Sequence, residues 1–392
     1  MQDAEQIRAR LDRYESFAAR DPGNVTLLAE VAELRMQVGD FASAEMALDK
    51  ALVLSPGNPS LRSQQAVLAI ASGQFEKAIT LSQELIAQGV TAAAVRYNLA
   101  YAFMYLGRYA EAKEHLQTIG YLPDAPDGAP VLLARALHHL GDVEEAMACL
   151  RLHLERRPRD ADAQGAMALL SLDAEDLESA KEWAEKAVNG NGDNLEGLVT
   201  LGSLALERQD AVEARTHFER AVARHPKSGR AWAGAGLTEM LDLQLDNAKS
   251  GLEHAVEYMP NHIGTWYALA WARIVSDDLT GAEAAFAKAL EIDRNFGETH
   301  GGLAVIAVLQ GRTAEAERST RVALRLDPMS FAGRFAQSLL LARQGNTGAA
   351  QETIQKILSS PIANGQEALG VRLAQLLRER KKLTSFRNPP AK

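Results

Sequence analysis

The sequence has little of several residue types on which common functions depend. Cys149 is its single cysteine, which excludes an internal disulfide and a thiolate zinc cage. No apolar run approaches the roughly 18 residues that a bilayer span requires. The opening stretch M-Q-D-A-E-Q-I-R-A-R carries charges where a signal peptide has its apolar segment. We therefore expect a cytoplasmic protein, or a periplasmic one if a leader has been trimmed.

Basic residues are also outnumbered. Lys and Arg total 42 against 51 Asp and Glu, which makes the formal net charge −9 and the pI about 5.6. This balance argues against nucleic acid or an anionic membrane as the main partner, because both call for a basic surface. With 47% hydrophobic and 24% charged residues the chain has the composition of a folded protein, so protein or small-molecule partners are expected.

The proline positions show a long repeat. Prolines stand at 22, 56, 158, 226, 260 and 328, and every gap between them is 34 or a multiple of 34. At four positions the 34-residue spacing calls for a proline that is absent. Each has a turn-forming residue beside it, namely Gly89, Pro123, Gly190 and Asn295. Starting at Val25, ten successive repeats of 34 residues end at Asn364 without an insertion.

The repeats, numbered 1 to 10 from Val25, can be aligned as columns of one unit. Column 8 is small throughout, and all ten residues of column 20 are alanine, which predicts two helices in close contact at that column. Column 15 is glycine in six repeats and places a turn between the helices. The column 20 alanines are Ala44, Ala78, Ala112, Ala146, Ala180, Ala214, Ala248, Ala282, Ala316 and Ala350.

This pattern resembles the tetratricopeptide repeat, whose 34-residue helix-turn-helix units carry small residues at columns 8 and 20. The resemblance implies an all-α fold, a right-handed superhelical solenoid of stacked antiparallel helix pairs. Repeats 5 to 8 depart from it at column 15, where they carry Glu175, Gln209, Leu243 and Asp277. The resulting organisation is a partial N-terminal repeat over 1–24, ten repeats over 25–364, a C-terminal capping helix over 365–382 and a disordered basic tail over 383–392.

Two stretches interrupt the pattern. P-D-A-P-D-G-A-P places Pro130 in column 4, so the first helix of repeat 4 should begin late. N-G-N-G-D-N, residues 189–194, predicts a longer turn between repeats 5 and 6. Either could be a hinge or tolerated loop variation.

The sequence contains no recognisable catalytic or metal-binding motif. His138 and His139 are adjacent and point about 100° apart on a helix, so they are not a one-face ligand pair, and Cys149 and His153 lack further ligands at zinc spacing. No Gly-rich phosphate loop or nucleophile elbow stands in a strand-turn-helix setting. Acidic pairs such as Asp277 and Asp278 fall at turns, as caps do. We therefore expect no enzyme, no cofactor and no metal.

The resemblance also implies that columns 2, 5, 9, 12 and 13 of each first helix line a concave groove. Columns 5 and 9 contain neither lysine nor asparagine, so the carboxylate clamp of chaperone-binding relatives is not expected. Two aromatic clusters occur there instead, and neighbouring repeats could alternatively cover part of their rings. The expected partner-binding residues are Tyr97, Asn98, Tyr101, Tyr105, Arg135, His138 and His139 in one cluster, and Tyr267 and Trp271, near Phe335, in the other.

The sequence thus predicts a non-enzymatic scaffold or adaptor that binds a peptide or protein segment in its groove. Two alternatives stay open. The chain could be the scaffolding portion of a larger enzyme or of a secretion or envelope assembly machine, or it could self-associate through the ends of the solenoid.

Overall fold

The computed structural model describes residues 2–120, 122 and 124–359, and every regular element among them is an α-helix. This confirms the predicted all-α class. The helices belong to two compact units, residues 1–170 and 171–392, called here the N-terminal and C-terminal units, with the division inside one helix. The predicted cap over 365–382 and tail over 383–392 lie outside the described residues.

The N-terminal unit begins with one helix and continues with helix pairs. In each pair a first helix and a second helix are joined by a short turn, and the first helices of successive pairs also contact one another from α2 to α8. The elements are α1 (Gln2–Arg20), α2 (Val25–Gln37), α3 (Phe41–Leu54), α4 (Pro59–Ala71), α5 (Phe75–Ala87), α6 (Ala93–Tyr105), α7 (Tyr109–Ile119), α8 (Ala129–Leu140), α9 (Val143–Arg156) and α10 (Ala161–Asp173), within which the division falls.

The C-terminal unit follows the same plan, and its first helices likewise contact one another from α12 to α20. Together the two units contain the ten helix pairs that the period predicts. The further elements are α11 (Leu177–Gly190), α12 (Leu195–Glu207), α13 (Ala211–Arg224), α14 (Gly229–Leu241), α15 (Leu245–Tyr258), α16 (Ile263–Val275), α17 (Leu279–Ile292), α18 (Gly297–Leu309), α19 (Thr313–Leu326), α20 (Phe331–Arg343) and α21 (Thr347–Ser359).

Column 20 lies where the helices of a pair meet. Nine of its ten alanines are 0% exposed and Ala350 is 5% exposed, so the predicted close contact is confirmed. The two helices of repeat 7 cross closely, since a Cβ added to Gly236 would lie 2.7 Å from Cγ of Leu252 and one added to Gly251 would lie 3.2 Å from the Cα of Gly236. Neither position has room for a larger residue without displacement of backbone.

The turn inside each pair has one geometry in all ten repeats. Column 15 has positive φ everywhere, 71° to 85° at its six glycines and 59° to 67° at Glu175, Gln209, Leu243 and Asp277. Its hydrogen bonds also match: Asp40 N donates to Arg35 O at 2.9 Å in repeat 1, and Asp210 N donates to Ala205 O at 2.9 Å in repeat 6. This is the Schellman arrangement that ends a helix with a left-handed residue.

Of the predictions for the two interrupted stretches, one is confirmed and one is not. Helix α8 begins at Ala129 with Pro130 in its first turn, two positions later than other first helices, as predicted. The prediction of a longer turn between repeats 5 and 6 is wrong. Helix α11 runs to Gly190 and α12 begins at Leu195, which leaves the same four connecting residues as between α13 and α14. The asparagines fit this standard turn because Asn194 caps α12 through Gly197 N at 2.8 Å.

Candidate functional site

The first predicted aromatic cluster lies on α6. Tyr97, Tyr101 and Tyr105 follow one another at intervals of four, so the helix places them on one side. Tyr105 is 62% exposed, and Tyr97 and Tyr101 are half-buried. The rings of Tyr101 and Tyr105 are 5.2 Å apart and tilted by 41°. The structure therefore brings these two tyrosines into contact at the surface.

Two further rings, which are not among the predicted residues, complete the cluster. Phe75, at the start of α5, stacks on Tyr105 with centroids 4.4 Å apart, and Tyr109, at the start of α7, stacks on His139 at 4.1 Å. Phe75 and Tyr109 are 34 residues apart, as are Tyr105 and His139, so one ring pair occurs twice in successive repeats. We call Phe75, Tyr97, Tyr101, Tyr105, Tyr109 and His139 the ring surface.

The signal for these pairs was present in the sequence. A column 13 residue meets the column 17 residue of the preceding repeat, and both columns are aromatic or imidazole only where repeats 2, 3 and 4 adjoin. Because this contact joins two different columns, residues compared within a single column do not reveal it.

Polar and charged groups border the ring surface. Burial raises the pKa of Tyr97, while Arg135 acts to lower it and Asp162 to raise it. Burial and a hydrogen bond with Tyr105 raise the pKa of Tyr101 to about 12. Both phenols are therefore neutral near pH 7, so their O–H groups can donate hydrogen bonds. Arg135, on α8, is half-buried beside them.

Two other predicted residues have different positions. Asn98 is half-buried on α6, next in sequence to Tyr97 and therefore about 100° around the helix from it. The ring of His138, on α8, is 6.1 Å from that of His139. Among the described residues no group of three or more His, Cys, Asp or Glu side chains is arranged to hold a metal ion.

The second predicted cluster requires a correction. Trp271, on α16, is only 2% exposed, and its ring is 5.9 Å from that of Phe331 and 6.3 Å from that of Phe335. These phenylalanines belong to α20, which α18 approaches so closely that a Cβ added to Gly301 would lie 2.6 Å from the carbonyl carbon of Ala332. Trp271 is therefore a core residue, and the expectation that it faces a partner is wrong in this structure.

Tyr267 has an internal role in the same region. Its hydroxyl donates to Oε2 of Glu298 at 2.8 Å, and the same oxygen accepts from the backbone N of Ala332 at 3.0 Å. This chain links α16, α18 and the first turn of α20. The Tyr267 hydroxyl is thus engaged within the C-terminal unit, although its ring is only partly buried.

The other polar groups singled out from the sequence have structural contacts. His153 is 6% exposed and its Nε2 is 2.7 Å from Oδ2 of Asp160. Burial alone would raise the pKa of Asp160, but the hydrogen bonds from His153 and from the backbone of α10 hold it below its ordinary value. Cys149 Sγ is 3.5 Å from Pro130 O. Asp278 caps α17 through Gly281 N at 2.9 Å, as predicted.

Models of the tetratricopeptide repeat match three parts of the chain, residues 69–170 in two overlapping segments, 199–248 and 297–321. These matches agree with the helix pairs and the turn geometry described above. The chain belongs to the tetratricopeptide repeat family. In the described helices no segment is both long and apolar enough to cross a bilayer.

Curated relatives of this tetratricopeptide repeat protein match only part of it. A TPR repeat-containing thioredoxin, TTL4, of Arabidopsis thaliana is 30% identical over 110 residues, which are 28% of this chain and 16% of the relative. Cellulose synthase operon protein C of Komagataeibacter xylinus is 27% identical over 130 residues, which are 32% of this chain and 10% of the relative. The matched segments thus span a small part of both proteins.

Among solved structures, a human IFIT1 dimer with m7Gppp-AAAA is similar to 86% of this chain and to 91% of that chain, with a TM-score of 0.54 and 15% sequence identity. A monomeric IFIT1 mutant with Gppp-AAAA has the same TM-score over 85% and 90% of the two chains, at 14% identity. At this identity the likeness extends to the helical repeat fold alone.

Proposed function

We propose that this tetratricopeptide repeat protein is a non-enzymatic scaffold that binds a segment of a partner protein across the ring surface on α5 to α8. The repeated ring pair carries the proposal. Phe75 with Tyr105, and Tyr109 with His139, present aromatic area at two places one repeat apart. Aromatic residues with polar tips bind partners well because they add large contact area at low entropic cost.

The surroundings of the rings support a protein segment as the ligand. An extended or helical segment could pack apolar side chains on the exposed ring of Tyr105 while the Tyr101 hydroxyl and Arg135 bind its backbone or an acidic group. Exposed apolar area of this kind commonly marks an interaction site on soluble proteins.

The test is a double substitution, Tyr105→Ala with His139→Ala, followed by capture of partners from the source cell and affinity measurement on the partner that is identified. We expect the affinity to fall about tenfold or more, since the loss of an interface anchor commonly costs ~2 kcal/mol. Helical circular dichroism should be unchanged, because Tyr105 and His139 are both exposed.

A matched control removes an exposed tyrosine and an exposed histidine elsewhere. Tyr258 is 38% exposed on α15, and His254 lies one helical turn before it. Tyr258→Ala with His254→Ala should leave capture intact. Equal affinity of the ring variant and the control for the captured partner would contradict the proposal.

A second candidate function has one observation in its favour. Both curated relatives are much longer than their matched segments, and their names refer to a thioredoxin and to a cellulose synthase operon. The chain could accordingly serve as the scaffolding portion of a larger enzyme or of a secretion or envelope assembly machine. An immunoblot of fractionated source cells separates the two. A 42.4 kDa band in the cytoplasmic fraction favours the adaptor, and a larger or envelope-associated species favours the assembly role.

A further inference from the structure

Helix α19 carries three arginines on one exposed side. Arg318, Arg321 and Arg325 stand at i, i+3 and i+7, positions that share a face of an α-helix, and all three are exposed. Within the described part of the chain none of them forms a hydrogen bond or an ion pair. We call these three residues the arginine face.

The carboxylates near this face have other partners. On α19 itself, Glu315 accepts from Arg312 at 2.7 Å and Glu317 accepts from Nε2 of Gln344 at 3.4 Å. Carboxylates of the two neighbouring second helices pair with a lysine or arginine other than these three, so among the described residues no carboxylate pairs with the arginine face. The pairs are Glu283 with Arg312 at 3.1 Å and Glu291 with Lys288 at 2.8 Å on α17, and Glu352 with Lys356 at 2.8 Å on α21.

This cluster of positive charge is particular to repeat 9. The three arginines occupy columns 22, 25 and 29, and in the other nine repeats Arg151 is the one basic residue in those columns. Carboxylates are frequent there instead, in keeping with the net charge of −9. The acidic residues at these columns are Asp49, Glu114, Glu155, Glu182, Glu185, Glu219, Glu253, Glu257, Glu291 and Glu352.

Apolar surface continues the arginine face at the C-terminal end of α19. Leu326 is 37% exposed and Met329, in the turn that follows, is 61% exposed. The Arg334 side chain supports this turn, since its Nε donates to Pro328 O at 3.0 Å and its guanidinium contacts the Met329 sulfur. The surface thus combines three guanidinium groups with an exposed apolar end.

We propose that the arginine face, with Leu326 and Met329, docks an acidic segment of a partner protein. Guanidinium groups bind carboxylates with two parallel hydrogen bonds, and three arginines along α19 suit carboxylates about one helical turn apart. An apolar side chain that follows those carboxylates would lie on Leu326 and Met329. This docking surface is separate from the ring surface and does not depend on its function.

Other occupants fit the charges less well. A second copy of this chain would offer carboxylates from the same columns, but Glu182 is paired with Lys186 at 2.6 Å and Glu253 with Arg273 at 2.8 Å. Nucleic acid and anionic membranes would have to approach a chain of net charge −9. An acidic protein segment needs only the local positive charge.

The test uses the full chain and a fluorescent synthetic peptide of about four helical turns, with glutamates spaced one turn apart and a leucine after them. We expect fluorescence anisotropy to show binding that weakens as salt is raised. Arg318→Gln, Arg321→Gln and Arg325→Gln together should weaken binding about tenfold or more, from the sum of three exposed ion pairs. The corresponding triple Arg→Lys variant keeps the charge and should retain part of the affinity.

Two controls make the result specific. Arg151→Gln removes the one basic residue in the same columns elsewhere and should leave binding unchanged, and a peptide with glutamine for glutamate should not bind. Equal binding by the triple Gln variant would overturn the proposal. It would also be overturned if anionic phospholipid vesicles or a single-stranded oligonucleotide bound through the arginine face while the acidic peptide did not.

Discussion

At the scale of a single residue, the turn of each repeat is set by the backbone angle at column 15. Six repeats have glycine there, which adopts positive φ without steric cost, and four have a side chain in the same left-handed region. For an L-residue that region costs roughly 1–2 kcal/mol. Repeats 5 to 8 therefore keep the turn geometry of the family at the expense of local strain.

Replacing Gln209 by glycine should relieve that strain. Gln209 has φ of 59° and an exposed side chain, so Gln209→Gly removes the steric cost and loses no buried contact. After allowance for the entropy of glycine in the unfolded chain, we expect a gain of about 0.5–1 kcal/mol, measured as a higher urea midpoint by circular dichroism.

The reciprocal control is Gly73→Gln at the same column of repeat 2. Gly73 has φ of 76° and no atom lies within 4 Å of an added Cβ, so only backbone strain changes there. This variant should unfold at lower urea than the parent. A Gln209→Gly variant no more stable than the parent, beside an unaffected Gly73→Gln, would show that column 15 is not strained.

At the scale of helices, the closeness of neighbouring first helices decides whether an aromatic side chain is exposed or buried. Tyr101 and Trp271 both occupy column 9, yet Tyr101 is half-buried on the ring surface and Trp271 is 2% exposed. The difference arises because Gly301 lets α18 approach α20, which brings Phe331 and Phe335 against the indole.

A larger residue at Gly301 should push α18 and α20 apart. Gly301→Ala would place a Cβ against the backbone of Ala332 and Gly333, which cannot move as a flexible side chain could. We expect a loss of about 1–3 kcal/mol in the free energy of unfolding, as for other overpacked cores. Gly348→Ala, on α21 with nothing within 4 Å of the new Cβ, is the control and should be neutral or slightly stabilising. A Gly301→Ala variant as stable as this control would contradict the close approach.

At the scale of the whole molecule, the sequence predicted the repeat and much of the fold because a 34-residue period places both helices and their turn in register. The late start of α8 also followed from one proline. Properties that depend on contacts between repeats were harder to predict. The burial of Trp271 depends on small residues one and two repeats away, and the stacking of Tyr105 on Phe75 joins two different columns.

The same organisation makes stability local, which gives the last prediction. In repeat proteins each repeat contacts its neighbours only, so damage to one repeat should spread over a short distance. Ala112 is 0% exposed at column 20 of repeat 3, and Ala112→Leu should overpack the contact between α6 and α7. Hydrogen exchange should accelerate in α5 to α8 and remain unchanged in α16 to α21.

The control is Glu114→Ala, at an exposed position of α7, which should alter hydrogen exchange in neither region. If Ala112→Leu accelerated hydrogen exchange equally in α16 to α21, both compact units would unfold as one cooperative body. A variant in one repeat would then reduce binding at the ring surface and at the arginine face together.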